Sequence, residues 1–293
     1  MTHDPVTPDP ITPDPRILDA AEAVQRMLST VEAGGAAACL TLSTGSEAGR
    51  RMMVMRPLEG AETVVGSLGA SALDRKAREL AVEALADPDG SFGLKEISTD
   101  DETVEVYVEA RGPVQELVIV GAGHIAQPLS RMGVLLGFRV AVLDDRPDFA
   151  TQERFPEAHR LIAADFTDPF VDIAIHPGSH VLLVTRGHKY DYECLLRLLR
   201  MDLRPAYIGM IGSRRRVRAT FVQLLEEGVA RPRLAEIHAP VGLDIKAETP
   251  EEIAVAVAAE LVKLRRGGTG ASLRDVERVA DRFFAEATPE NET

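Results

Sequence analysis

The apolar run Leu117-Val118-Ile119-Val120 passes directly into Gly121-Ala122-Gly123-His124-Ile125-Ala126. This is a strand-like stretch followed by G-x-G-x-x-A at the start of a helical one. Glycines at these positions permit a tight turn and let a pyrophosphate approach the first N–H groups of the helix behind it. A second strand-like stretch, Arg139 to Leu143, ends in Asp144-Asp145, where an acidic side chain accepts a ribose hydroxyl in dinucleotide sites. Together these features point to a Rossmann-type nucleotide site. The rival reading is that the glycines only let helix pack against strand.

Further polar residues follow other apolar runs, the place where ligands bind in an open α/β sheet. Arg186, Gly187 and His188 follow Val181–Val184, Gly212, Ser213 and Arg214 follow Tyr207–Ile211, and a later loop runs from His238 to Asp244. Ser213 is a natural N-cap, which puts Arg214, Arg215 and Arg216 on one helical turn against the macrodipole. Leu203 to Leu225 contains five arginines and no carboxylate. Unpaired arginines beside a helix N-terminus suit a bound anion, phosphate most simply. A solvated basic face, or a docking surface for an acidic partner, is the alternative. His124, His188 and His238 are widely spaced and suit hydrogen bonds to a polar ligand better than metal ligation. Cys39 and Cys194 read as buried residues, and no Ser–His–Asp or Cys–His signature marks a nucleophile. No catalytic residue and no metal ligand is assigned.

These turns need a scaffold, and the chain is long enough to supply two domains at 293 residues. It carries 33 Lys+Arg against 46 Asp+Glu, a formal net charge of −13, which argues against nucleic acid or an anionic membrane as partner. A composition of 45% hydrophobic and 27% charged residues is that of a folded globular protein. Two cysteines can build neither a disulfide framework nor a four-thiolate zinc site. No stretch approaches the roughly 18 consecutive apolar residues of a membrane span, and residues 1–15 lack the regions of a signal peptide. A cytoplasmic protein is expected.

Residues 1–15, a Pro/Asp/Thr repeat, read as a disordered tail. Residues 16–113 read as an α+β domain. Its first helix carries Ile17, Ala20, Ala21, Val24 and Met27 on one face and stops at Gly34-Gly35. Strands are expected over Ala36–Leu42, Arg51–Met55, Glu62–Val65 and Thr103–Val108, with a helix over 72–86 and a turn at Asp87-Pro88-Asp89-Gly90. Residues 114–266 alternate apolar runs with helical stretches, the pattern of a parallel sheet buried on both faces. Thr249-Pro250-Glu251-Glu252 is a capping box ahead of an apolar core helix. Residues 267–293 read as a linker and an appended helix over 272–287. The expected fold class is α/β: a C-terminal Rossmann-like parallel sheet with a smaller N-terminal α+β domain.

Four stretches, GAGHIAQPLSRMGVLLGFRVAVLDDRPDFA (121–150), TRGHKYDYECLLRLL (185–199), YIGMIGSRRRV (207–217) and HAPVGLDIKAETPEEIAVAVAAELV (238–262), together resemble the xanthine dehydrogenase accessory proteins of the XdhC/CoxI family. They cover nearly all of the second domain, and the first domain resembles the family more weakly. The resemblance implies a cofactor-insertion chaperone rather than an enzyme. Such a protein binds molybdenum cofactor, as molybdopterin or its dinucleotide form, protects it, and delivers it to a molybdenum hydroxylase such as xanthine dehydrogenase. A cysteine desulfurase as further partner and a homodimeric state are also implied. The cofactor-binding candidates are then Gly121, Gly123, His124, Asp144, Asp145, Arg186, Gly187, His188, Gly212, Ser213, Arg214, His238 and Asp244. An NAD(P)-dependent oxidoreductase using Gly121, Gly123 and Asp144, or an interaction protein with a vestigial glycine loop, are the other classes.

The chain departs from the family in two places. Members often carry G-S-x-x-G-G-C-x-E in the first domain, whose Cys is a candidate contact to the molybdenum centre. The matching stretch here runs from Gly66 to Asp74, has no Cys, and ends in Asp rather than Glu. The usual glycine after G-L-D-I is Lys246.

Overall fold

The computed structural model describes residues 17–86, 92–100 and 102–278. The expected tail, the turn at 87–90 and the end of the C-terminal helix lie outside the described residues.

The first domain comprises α1 (Ala20–Glu32), β1 (Ala36–Leu42), β2 (Arg51–Arg56), β3 (Thr63–Gly66), α2 (Ser71–Ala84), β4 (Phe92–Ser98) and β5 (Thr103–Arg111). Its strands form an antiparallel sheet of order β3-β2-β1-β5-β4. Side chains alternate across a strand, so Ala38, Leu40 and Leu42 of β1 join Val104, Val106 and Val108 of β5 beneath α2. Ala37 and Cys39 face the other way, against Ala23 and Met27 of α1. The buried stripe of α1 is Ala23, Met27 and Val31, which shares only Met27 with the face read from the sequence: Ile17 and Val24 are exposed. An i, i+4, i+8 row suffices to cover this face of the sheet, built from Ala37, Cys39, Met53 and Met55, so the stray aliphatics mislead. Strand β4 was absent from the expectation. It is an edge strand that pairs only with β5, and its mixed Phe-Gly-Leu-Lys-Glu-Ile-Ser sequence shows no clean alternation.

The second domain comprises β6 (Glu116–Val120), α3 (Ala126–Leu135), β7 (Arg139–Asp144), β8 (Arg160–Ala163), β9 (Ser179–Leu183), α4 (His188–Arg200), β10 (Tyr207–Met210), α5 (Arg214–Glu226), α6 (Arg231–Ala235), α7 (Pro250–Arg266) and α8 (Leu273–Glu277). All five strands run parallel in the order β10-β9-β6-β7-β8, a doubly wound arrangement. Leu117, Ile119, Val140 and Val142 pack on one face under α3 and α7. Val118, Val120, Ala141 and Leu143 pack on the other, under α4 and α5. Burial of each such aliphatic contributes about 1.5–3 kcal/mol, which is why these strands are apolar without interruption. The edge strand β8 is short and only partly buried, and it too was missed.

Helix α7 begins at the expected capping box, with both reciprocal hydrogen bonds between Thr249 and Glu252 present, and ends at Gly267 in the left-handed region (φ 67°). Among the described residues, no helix is long and apolar enough to cross a membrane.

Candidate ligand cleft at the switch point of the parallel sheet

The chain leaves β6 toward one side of the sheet and β9 toward the other, because the strand order reverses between them. The two loops diverge and leave a crevice at the carboxyl ends. Here it is a cleft of about 440 Å³, within the usual range for ligand pockets. Gly121, Gly123, His124, Asp144 and Arg186 line it, as expected, together with Ile125, Arg146, Phe149, Phe166, Val184 and Thr185.

The two glycines do different work. Gly121 has φ +108°, and a Cβ there would meet the Val184 carbonyl oxygen at 2.6 Å and its carbon at 2.8 Å. Its absence lets β6 turn against the end of β9. Gly123 has nothing within 4 Å of a built Cβ, so its missing side chain keeps the cleft open.

Asp144 is the pin of the glycine loop. It is 1% exposed, and its Oδ2 accepts from the Ala122 N–H at 2.7 Å and from Arg146 Nη2 at 2.9 Å. Its Oδ1 accepts from the Arg146 backbone N–H at 3.0 Å and from Arg146 Nε at 2.8 Å. Burial alone would raise its pKa, but the hydrogen bonds from Arg146 and Ala122 outweigh that and hold the carboxyl below its ordinary range. The Arg146 guanidinium lies 3.5 Å over the Phe149 ring centroid. Arg154, 4.8 Å from that centroid, donates to the Ala122 carbonyl at 2.9 Å. Asp145 does not line the cleft. It holds Arg186 through two hydrogen bonds of 2.5 and 2.7 Å, and Arg186 also donates to the Tyr190 hydroxyl.

The opposite wall rests on a buried network. Asp191, fully buried in the first turn of α4, accepts from Thr185 Oγ1 at 2.7 Å and from Arg216 Nε at 2.6 Å. Arg216 Nη2 also donates to the Thr185 carbonyl at 2.9 Å. Burial pushes the Asp191 carboxyl upward against both hydrogen bonds. This corrects the reading of the arginine run as unpaired: Arg216 is committed to Asp191, 25 positions earlier, and of the arginines on α5 it is Arg214, Arg215 and Arg218 that are exposed. Ser213 is the N-cap and accepts from the Arg216 N–H, while Gly212 leaves room for the Arg216 stem, which would lie 3.2 Å from a Cβ there. Gly187 is the N-cap of α4 and His188 its exposed first residue. Gly187, His188, Gly212, Ser213 and Arg214 all lie outside the cleft lining.

His238 and Asp244 sit elsewhere. His238 pairs with Gly209 beyond the outer edge of β10, so β10 and β9 lie between it and β6. Its ring stacks on Tyr207 at 4.6 Å, and its Nδ1 bonds Glu260 at 2.7 Å. The sequence placed it after a strand, whereas it runs alongside one. Asp244 is exposed and paired with Lys246 at 3.1 Å. Lys246 itself has φ +59°, a conformation that explains a glycine preference at this position.

Neither cysteine reaches the cleft. Both are buried, and burial raises the Cys39 thiol to about 11 and Cys194 further still. In the first domain, the stretch without the family cysteine is closed on itself: Asp74 accepts from Ser67 Oγ and from the Leu68 N–H, each at 2.7 Å. Among the described residues no cluster of His, Cys, Asp and Glu could hold a metal ion.

Arg146 and Phe149 were missed in the sequence. The signal was present as an arginine directly after the acidic pair and an aromatic three further on, in a turn otherwise poor in apolar residues.

A doubly wound sheet with a glycine loop and a guanidinium-rimmed crevice at its switch point defines a Rossmann-type domain, here joined to an α+β domain. Residues 117–261 match the XdhC Rossmann domain. This parallel-sheet domain belongs to the XdhC family. It is similar to the uncharacterized Escherichia coli protein YqeB, with 32% identity over 218 residues, 71% of this chain and 40% of that protein. It is also similar to a Bacillus subtilis protein named as a probable xanthine dehydrogenase component, 32% identical over 166 residues, 57% of this chain and 48% of the relative. The chain thus spans less than half the length of these curated relatives. A crystal structure described as a xanthine dehydrogenase from Bacillus halodurans superposes with a TM-score of 0.62 at 26% identity, covering 85% of this chain and 68% of that one.

Proposed function

We propose that this chain is an accessory protein of a xanthine dehydrogenase-type molybdenum hydroxylase, and that it binds molybdenum cofactor in the cleft between β6 and β9 and delivers it to that enzyme. The observation that carries the reading is the cleft itself: an open glycine position at the N-terminus of α3, with two fixed guanidiniums and an aromatic ring at the rim. The cofactor, as molybdopterin or its dinucleotide, offers a phosphate or pyrophosphate and a planar polar pterin. The phosphate suits the N–H groups around Gly123, and the flat pterin suits the Phe149 and Phe166 side. When bound, the cofactor supplies a molybdenum centre for the partner's chemistry, and the residues here serve only to hold, orient and shield it. With no thiol in the cleft, the molybdenum end is left without a thiolate contact from the described residues. A cysteine desulfurase as second partner and a homodimer belong to the same reading.

The test is titration with isolated cofactor, together with analysis of pterin copurifying from cells that make it. Binding that is lost in a folded Gly123→Val variant is expected. Absence of both copurifying pterin and measurable binding would overturn the reading. The rival, an NAD(P)-dependent oxidoreductase, draws on the same glycine loop, and micromolar NADH binding by fluorescence would favour it.

A further inference from the structure

In Rossmann-type sites, the acidic residue at the end of the second strand accepts hydrogen bonds from the ribose diol. Asp144 stands at that position but is already used: its two oxygens accept four hydrogen bonds from Ala122 and Arg146, and it is 1% exposed. The group offered outward is the Arg146 guanidinium, whose side chain is 37% exposed. Its Nε and Nη2 face Asp144, its plane lies against Phe149, and the side chain lines the cleft. A guanidinium held this way pays little to order itself on a ligand and matches phosphate oxygens geometrically.

We infer that Arg146 determines specificity at this end of the cleft, selecting a ligand that presents a phosphate ester there over one that presents a free ribose diol. The inference rests on the reading of the cleft as a ligand site and adds which end group it accepts. Asp144 acts through Arg146, as a positioning residue. Arg186, clamped by Asp145, lines the same cleft as a second cation.

Two probes that differ only in the group at issue test this: adenosine 2′,5′-bisphosphate and 5′-AMP, titrated calorimetrically against the full chain. The bisphosphate is expected to bind about tenfold more tightly, the scale of one charge-assisted hydrogen bond, with the preference shrinking at high salt. Arg146→Ala frees two acceptor sites on Asp144 and should reverse the order, favouring AMP. Arg146→Gln retains a donor toward Asp144 without the charge and should bring the ratio near one, so the inference does not depend on either variant folding well. Equal affinities, tighter AMP binding by the unaltered protein, or no binding of either probe at millimolar concentration would overturn it. An intact preference in a protein that fails to bind cofactor would instead overturn the delivery reading alone. Cofactor binding with no preference would overturn the role of Arg146 alone.

Discussion

Replacing Gly121 with alanine should unfold the second domain far more readily than the same change two residues on. A Cβ at Gly121 falls 2.6 Å from the Val184 carbonyl oxygen, and that peptide cannot drift, because Val184 N–H is bonded to Val120 and Ile211 N–H to Leu183. The positive φ costs about 1–2 kcal/mol for any residue with a side chain. Forcing the strand ends apart adds about 1–3 kcal/mol, and the reduced freedom of the unfolded chain returns about 0.4–1 kcal/mol. The net loss is roughly 1–5 kcal/mol. Gly123→Ala meets nothing within 4 Å and should stay within about 0.5 kcal/mol of the unaltered protein. Urea unfolding followed by tyrosine fluorescence reads this domain selectively: there is no tryptophan, and three of the four tyrosines, Tyr190, Tyr192 and Tyr207, lie in it. A midpoint for Gly121→Ala matching that of Gly123→Ala, with unchanged slopes, would refute the assignment of one glycine to structure and the other to access.

Other perturbations probe the supporting shell. Asp191→Ala leaves Arg216 and Thr185 without their buried acceptor and should cost about 3–5 kcal/mol, with the double variant Asp191→Ala/Arg216→Ala losing less than the sum of the singles. Additive losses in such a cycle would show that the pair is not coupled. Lys246→Gly relieves the left-handed conformation at φ +59° and should raise stability by up to about 1 kcal/mol, and a lowered melting temperature would contradict that. His176 and His180 have pKa values lowered by burial. The unfolded chain therefore takes up protons near its ordinary histidine range that the folded chain refuses, so stability should fall as pH drops from about 7 to about 5. Asp144, lowered as well, adds a further loss only at more acid pH, as pH falls through its folded pKa. Denaturation midpoints across that range should flatten between about pH 7 and 5 in a His176→Gln/His180→Gln variant, and an unaltered slope would place the acid sensitivity elsewhere.

Local pattern alone made the parallel sheet legible. Strands buried on both faces must be apolar throughout, so β6, β7, β9 and β10 stand out as uninterrupted runs, and the glycine loop is recognisable because its conformation permits so few residue types. The capping box of α7 is visible for the same reason, since the partners lie three residues apart. Edge strands β4 and β8, solvated along one side, leave no such imprint, and α1 shows that isolated exposed aliphatics can obscure which face is buried.

What a ligand would meet was decided only in three dimensions. The sequence identified an arginine-rich stretch, an aspartate after a strand and three histidines, but a charge's role depends on its partner, and most partners here lie more than twenty residues away along the chain. Arg216 is neutralised by Asp191, Asp144 is spent on Ala122 and Arg146, and His238 is carried past the edge of the sheet to Glu260. Residue type and short-range spacing determined the fold class and the position of the crevice. The folded arrangement, in which Asp144 is turned into the Ala122 N–H and the Arg146 side chain, determined which groups line that crevice.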